Sequence, residues 1–303
     1  MEMFDKDSLD KRIGPLKKST ILEPLEEVEF YVVKQLKKRD IKTAYDVVAN
    51  EPPYFQHSGY TSYATNFWIN PLSFKMRNEQ MHDALFDDVK KINDWSGYLK
   101  DVFRNKNANK YQDREVDTKY DHKDNLVVLP GSNKLKERVC LKKLLKVHDD
   151  HKDNVWFKPH PITKHTIIGE VMDNLDEYAD KTCVLPRESD LYYFLEKAKK
   201  IYTTHISESA IYAVILGKKI EPIDNLSTIT LGSFYPINKW LFDYQDDNIE
   251  GLINKMFSSP KSGIINPIVD ENWKEKVDLY IEYICNKREK YKNWYVHKDK
   301  AKK

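Results

Sequence analysis

The chain has 303 residues, 40% of them hydrophobic and 32% charged, and a formal net charge of +2 at pH 7. That length allows two domains or one large α/β unit, and the composition is that of a globular chain with a very polar surface. The near-zero net charge excludes a polyanion trap built on bulk charge, and no apolar run approaches the ~20 residues that span a bilayer.

In chain order, the opening MEMFDKDSLDKRIG lacks the apolar core of a signal peptide. Helical stretches are expected at 23–39 and 79–92. Between them PPYFQHSGYTSYATNFWINPLSF, residues 52–74, is aromatic and polar with breakers at both ends. It reads as a packed irregular loop or as one wall of a binding cleft, with His57 in its middle.

From residue 125 the pattern turns regular. Strands are expected at 125–130, 155–158, 182–185, 201–204 and 219–223, each short, apolar and bounded by breakers. KLKERVCLKKLLKV puts Leu135, Val139, Leu144 and Leu145 near one helical face. Asp190 is placed to cap the helix DLYYFLEKAKK, and Gly217 to close a helix over 207–216. SFYPINKWLFDY reads as a crossing segment, and helices at 248–257 and 271–287 follow. Short strands alternating with helices mean βαβ units, right-handed crossovers and a parallel sheet, with ligands at the strands' carboxyl ends. The expected organisation is an acceptor-side domain over 1–124, smaller and more helical, and a Rossmann-like domain over 125–270. A C-terminal helix and basic tail occupy 271–303. Cys140, Cys183 and Cys285 form no CxxC pair, so neither a disulfide framework nor a structural zinc site is expected.

Two stretches can carry chemistry. In NVWFKPHPITKHT, residues 154–166, a buried strand ends at Lys158, and Pro159 and Pro161 hold His160 between them with little backbone freedom. In TTHISESAIYAVILGKK, residues 203–219, a strand runs through His205, Ser207 and Ser209 into a helix. The first turn of a helix offers N–H groups to a phosphate, although serine there is also a common cap.

Together, KPHP (158–161), SDLYYFLEKAKKIYTT (189–204) and SESAIYAVILGKKI (207–220) resemble the nucleotide-binding domain of GT-B glycosyltransferases. The resemblance is to HP-motif families related to capsule-polysaccharide and sialic-acid transferases. Their second motif commonly reads S-S-T-x-x-E-A-L-x-x-G-K-P-V, and Ser207, Ser209, Ala213, Gly217 and Lys218 fall in register. By resemblance, His160, Ser207 and Ser209 alone hold the nucleotide phosphates; Lys158 and His205 are further donors expected from the residues themselves. Tyr212 stands where such families often carry the ribose-binding Glu, so Glu208 or Glu221 takes that role or the ribose is held differently. Lys219 replaces the Pro.

The resemblance implies transfer of a sugar from a nucleotide-sugar co-substrate, with no further cofactor. No DxD-like pair sits in a convincing loop, so no metal is expected: Asp149-Asp150 and Asp246-Asp247 read as surface pairs. His57, ahead of His82 and Asp83, is the expected base for the acceptor hydroxyl, against the plainer reading of a histidine packed among aromatics. The acceptor is either a surface glycan or DNA bearing a hydroxymethylated base such as hydroxymethylcytosine, as in bacteriophage DNA glycosyltransferases built on the same plan. FRNKNANKYQDR and the tail from Asn286, with eight Lys/Arg against two acids, lean toward DNA. A basic tail equally suits a membrane surface or a solvated helix end. A non-catalytic nucleotide- or nucleic-acid-binding protein is the reading of another class. The expected location is the cytoplasm, that of the host if a phage encodes the chain.

Overall fold

The computed structural model describes residues 22–39, 54–60, 65–70, 74–104, 120–131, 139–161, 183–187, 189–225, 235–244 and 248–300. The chain divides into two compact units, residues 1–98 with 250–303, and residues 99–249. Where the sequence suggested a boundary at 124/125 and a separate C-terminal piece, residues 250–303 group with the N-terminal part. In order the elements are α1 (Leu22–Lys38), β1 (Tyr54–Tyr60), β2 (Thr65–Asn70), α2 (Phe74–Leu85), α3 (Trp95–Arg104), β3 (Asn125–Val128), α4 (Leu141–His151) and β4 (Val155–Lys158). There follow α5 (Leu191–Lys197), β5 (Lys200–Thr203), α6 (Ser209–Ile215), β6 (Lys219–Pro222), α7 (Tyr235–Asp243), α8 (Ile249–Ser258), β7 (Ile264–Ile265) and α9 (Trp273–Lys300).

The second unit is a mixed α/β body around a four-stranded parallel sheet in the order β4-β3-β5-β6. Asn125-Leu-Val-Val and Val155-Trp-Phe-Lys are buried at every position, as strands covered on both faces must be. Val127, Leu129, Val155, Phe157 and Tyr202 form a core with Leu144 and Val147 of α4. Asp190 caps α5, its carboxylate accepting from the Tyr192 N–H, and Gly217 ends α6 with φ at 69°. Three local expectations differ. Of the helix expected through KLKERVCLKKLLKV, the described part runs from Leu141, while Val139 bridges Asp224 and the Cys140 N–H donates to the Ile223 carbonyl; residues 132–138 lie outside the described residues. Of the strand expected at 182–185, the described residues 183–185 make a single bridge, from Val184 to Phe157. The crossing segment is helix α7, whose Ile237 and Leu241, four residues apart, are both buried.

In the first unit, residues 54–60 and 65–70 form the antiparallel pair β1–β2, extended by β7. The described residues of that segment are therefore sheet rather than irregular loop. Gln80 of α2, fully buried, donates to the Ser262 carbonyl and to the Tyr280 hydroxyl of α9. α2 stops at Leu85, short of the expected 92, while α9 runs on to Lys300 rather than 287. None of the three cysteines is in a disulfide. Among the described residues no helix is long and apolar enough to cross a membrane. The turn at 132–133, most of FRNKNANKYQDR, the segment 166–175 and Asp246-Asp247 lie outside the described residues.

Candidate functional site

Because the four strands are parallel, the stretches following β4 and β5 leave the sheet at one edge. β3 lies between them, so two strand spacings, about 10 Å, separate the two exits. The chain passes from β3 to one neighbour and then back across it to the other, which makes this the point where the strand order reverses.

At the β4 exit, His160 is half-buried on the turn between its two prolines. Lys158 is not where an anion would meet it. It is 1% exposed, and its ammonium donates to the carbonyls of Pro159 at 2.7 Å and Arg187 at 2.8 Å. Those bonds tie the turn to the segment that follows the Val184 bridge, so Lys158 braces the turn. Val128↔Lys158 is the last matched pair of β3 and β4, so the side chain starts inside the sheet.

At the β5 exit, Thr203, Thr204, His205 and Ser209 are buried, and Ser207 and Glu208 half-buried. The hydroxyls form a chain, with Thr203 Oγ1 at 2.9 Å from Ser209 Oγ and Ser209 Oγ at 2.7 Å from Ser207 Oγ. The amide donors expected of the helix start are used locally. Ser209 N–H donates to Ser207 Oγ, Ala210 N–H to the Ser207 carbonyl and Ile211 N–H to the Glu208 carbonyl. The physical reason is that residues 204–208 coil into turns before a helix of 7 residues, and these turns satisfy the first donors. What this edge can offer an anion is side-chain chemistry, the Ser207 hydroxyl and the His160 imidazole.

His205 is held from below. Asp224, just past β6, accepts its backbone N–H through Oδ2 at 2.9 Å, and Asp224 Oδ1 lies 2.7 Å from His205 Nδ1. Asn238 of α7 donates to the carbonyls of His205 and Ser207 at 2.9 and 2.7 Å. The sequence reading named neither Asp224 nor Asn238. The available signal for Asp224 was its place, one carboxylate immediately beyond the last parallel strand. Asn238 sits inside a segment not read as a helix, and nothing in the sequence marked it.

Of the acids weighed for the ribose, Glu221 is paired with Lys200 at 2.6 Å, and Glu208 precedes α6 without capping it. Tyr212 is a core residue, its ring 5.3 Å from that of Tyr192. His57 belongs to the other unit, on β1 opposite Phe67. Asp150 pairs with Lys146 and Asp149 with His148, at the end of α4, as expected of surface carboxylates. Among the described residues no group of His, Cys, Asp or Glu is arranged to hold a metal ion. A cavity of about 670 Å³ in the first unit contains no residue singled out from the sequence except Tyr283's neighbour Asn286 at the start of the tail. Its Lys276, whose pKa burial pulls below the ordinary lysine value against the pull of Asp270, is bonded to Asp270 and to the Phe257 carbonyl.

No protein-family model matches the chain, and neither a curated protein nor a solved structure matches it.

Proposed function

We propose that the chain is a glycosyltransferase of GT-B type that moves a sugar from a nucleotide-sugar donor to an acceptor hydroxyl. The parallel sheet is its donor half and the residues before it belong to its acceptor half. The observation that carries the reading is the shared carboxyl edge: the HP turn and the Ser207–Ser209 loop, the two motifs of the resemblance, leave the sheet on either side of the strand-order reversal. His160 and Ser207 contact the donor phosphates and stabilise the charge that develops on the leaving group. Calorimetry with nucleoside mono- and diphosphates tests it. His160→Ala and Ser207→Ala should each weaken binding by about 1–3 kcal/mol while leaving the fold intact. A wild-type protein that binds no nucleotide above background refutes the reading.

The favoured acceptor is DNA carrying a hydroxymethylated base, on the strength of the basic stretches, with a surface polysaccharide as the other acceptor. Incubation with sugar nucleotides and either hydroxymethylcytosine DNA or an oligosaccharide panel, read by mass increment, decides between them. Tight nucleotide binding with transfer to neither acceptor makes the protein a binder. Transfer should survive excess chelator, since Asp149-Asp150, the described one of the two acidic pairs weighed from the sequence, is engaged with Lys146 and His148.

A further inference from the structure

Glu275, Leu279, Glu282 and Asn286 of α9 are all exposed, and their spacings of four, three and four residues put them on one stripe. The stripe continues through Lys290, Asn293 and His297, again at spacings of four, three and four, so it reads alike in both directions from Asn286. Its first half carries acids and its second half a lysine and a histidine. The first half also borders the cavity of about 670 Å³ in the first unit, together with residues 87–91. Lys91, Lys261 and Lys276 there are each paired with an acid, whereas Asp88, Glu275, Glu282 and one lysine, Lys90, stand in no described ion pair. Leu279 is 45% exposed, and Ile92, between two lining residues, 55%. An acidic groove with an apolar lip suits a basic helix.

We propose that this groove receives a second copy of the chain, the two α9 helices packing antiparallel about a two-fold axis at Asn286. Glu282 then stands opposite Lys290 of the second copy, Glu275 opposite His297 and Leu279 opposite Asn293, each twice by symmetry. A parallel pair would set Glu against Glu and Lys against Lys, so charge selects the antiparallel order, while burial of Leu279 and filling of the groove supply affinity. Residues 288–300 carry α9 about 20 Å beyond Lys287, its last described ion pair. Helical stability comes mostly from packing one face, which the second copy provides for this stretch. Arg288, Lys292 and Lys298 fall outside the stripe, so dimerisation leaves cations for other contacts. Dimerisation is independent of the sugar-transfer reading.

Sedimentation velocity on the full-length protein, over a concentration series at low and high salt, tests it. Wild type should pass from monomer to dimer as concentration rises, less readily at high salt. Glu282→Lys and Lys290→Glu each turn two attractive pairs repulsive and should weaken the dimer roughly tenfold, with the unfolding midpoint of the monomer unchanged. The combined variant Glu282→Lys, Lys290→Glu re-forms both pairs with the signs exchanged and should return close to wild-type dimer affinity. Positions 282 and 290 lie about 12 Å apart along one helix, so that recovery cannot arise within a chain. A wild type that stays monomeric at every concentration overturns the proposal. So does a single variant that dimerises like wild type, which would place the interface elsewhere, or a combined variant no better than the single ones.

Discussion

Thr203, Ser209 and Ser207 carry three hydroxyl protons and make two bonds to one another, so one proton is left to point elsewhere. Thr203 is fully buried, and a proton turned inward there would have no acceptor in the chain of hydroxyls. The arrangement that strands nothing runs from Thr203 to Ser209 to Ser207 and directs the last proton outward, toward an acceptor such as a phosphate oxygen. Ser209→Ala breaks this run and leaves the Thr203 hydroxyl buried without its partner, a loss of about 1–3 kcal/mol in urea or thermal unfolding. Adding Thr203→Val removes the stranded group, since replacing both partners by apolar groups is near neutral, and should recover most of that stability. Nucleotide affinity should stay low in both, because neither variant orients Ser207. A double variant that regains affinity along with stability would show that the run only supports the fold. Lys158→Met is the opposite kind of change. It deprives the Pro159 and Arg187 carbonyls of their donor, so it should lower stability by about 1–3 kcal/mol and alter the affinity of folded protein less than His160→Ala.

At the scale of elements, the ends of α5 and α6 rest on single residues. Asp190→Ala removes the bond to the Tyr192 N–H and should cost about 1 kcal/mol. Gly217→Ala meets no atom within 4 Å, so its penalty of about 1–2 kcal/mol should come from the positive φ alone. Both were legible in the sequence because capping is local chemistry, and so were β3 to β6, whose short apolar runs end at Pro, Gly or charged residues. The β1–β2 pair was not, since its residues mix aromatic with polar and its partner β7 is 2 residues long and almost 200 residues away. The site divided the same way. His160, Ser207 and Ser209 were visible as motif residues, but that Lys158 would be buried, or that Asp224 would reach His205, depends on contacts between distant segments. Between α2 and α9, burial raises the pKa of the Asp83 carboxyl, but its bonds to Lys287 and to the Tyr283 hydroxyl outweigh this and hold it below the ordinary value. A depressed carboxylate contributes stability above its unfolded pKa and loses it as pH falls through the folded one. Lys287→Met should therefore destabilise the protein at neutral pH and flatten the acid limb of its stability curve below about pH 4. An unchanged acid limb would mean that the pair is worth nothing in solution.

Over the whole molecule, α9 is the element that ties the first unit to the basic end of the chain. Its 28 residues rise about 42 Å, and its first half is core, with Val277, Tyr280 and Ile281 fully buried. Lys287 is the last residue of the helix with a described partner, bonded to Glu79 and Asp83. Residues 288–303 then carry seven Lys/Arg. If DNA is the acceptor, these cations are where its phosphates would first be met, and each phosphate contact contributes about 0.9 to the slope of log K against log salt. Stopping the chain after Lys287 keeps the Asp83 pair and the buried half of α9, so the fold should hold. DNA affinity at low salt should fall, its salt dependence should become shallower, and nucleotide affinity should not change, because the donor-side residues lie in the other unit. Fluorescence anisotropy with hydroxymethylcytosine duplex at several salt concentrations, beside calorimetry with nucleotide, reads all three. Unchanged DNA affinity and slope in the shortened chain would remove the tail from any nucleic-acid role. A parallel loss of nucleotide affinity would mean that the truncation had damaged more than a phosphate-binding surface.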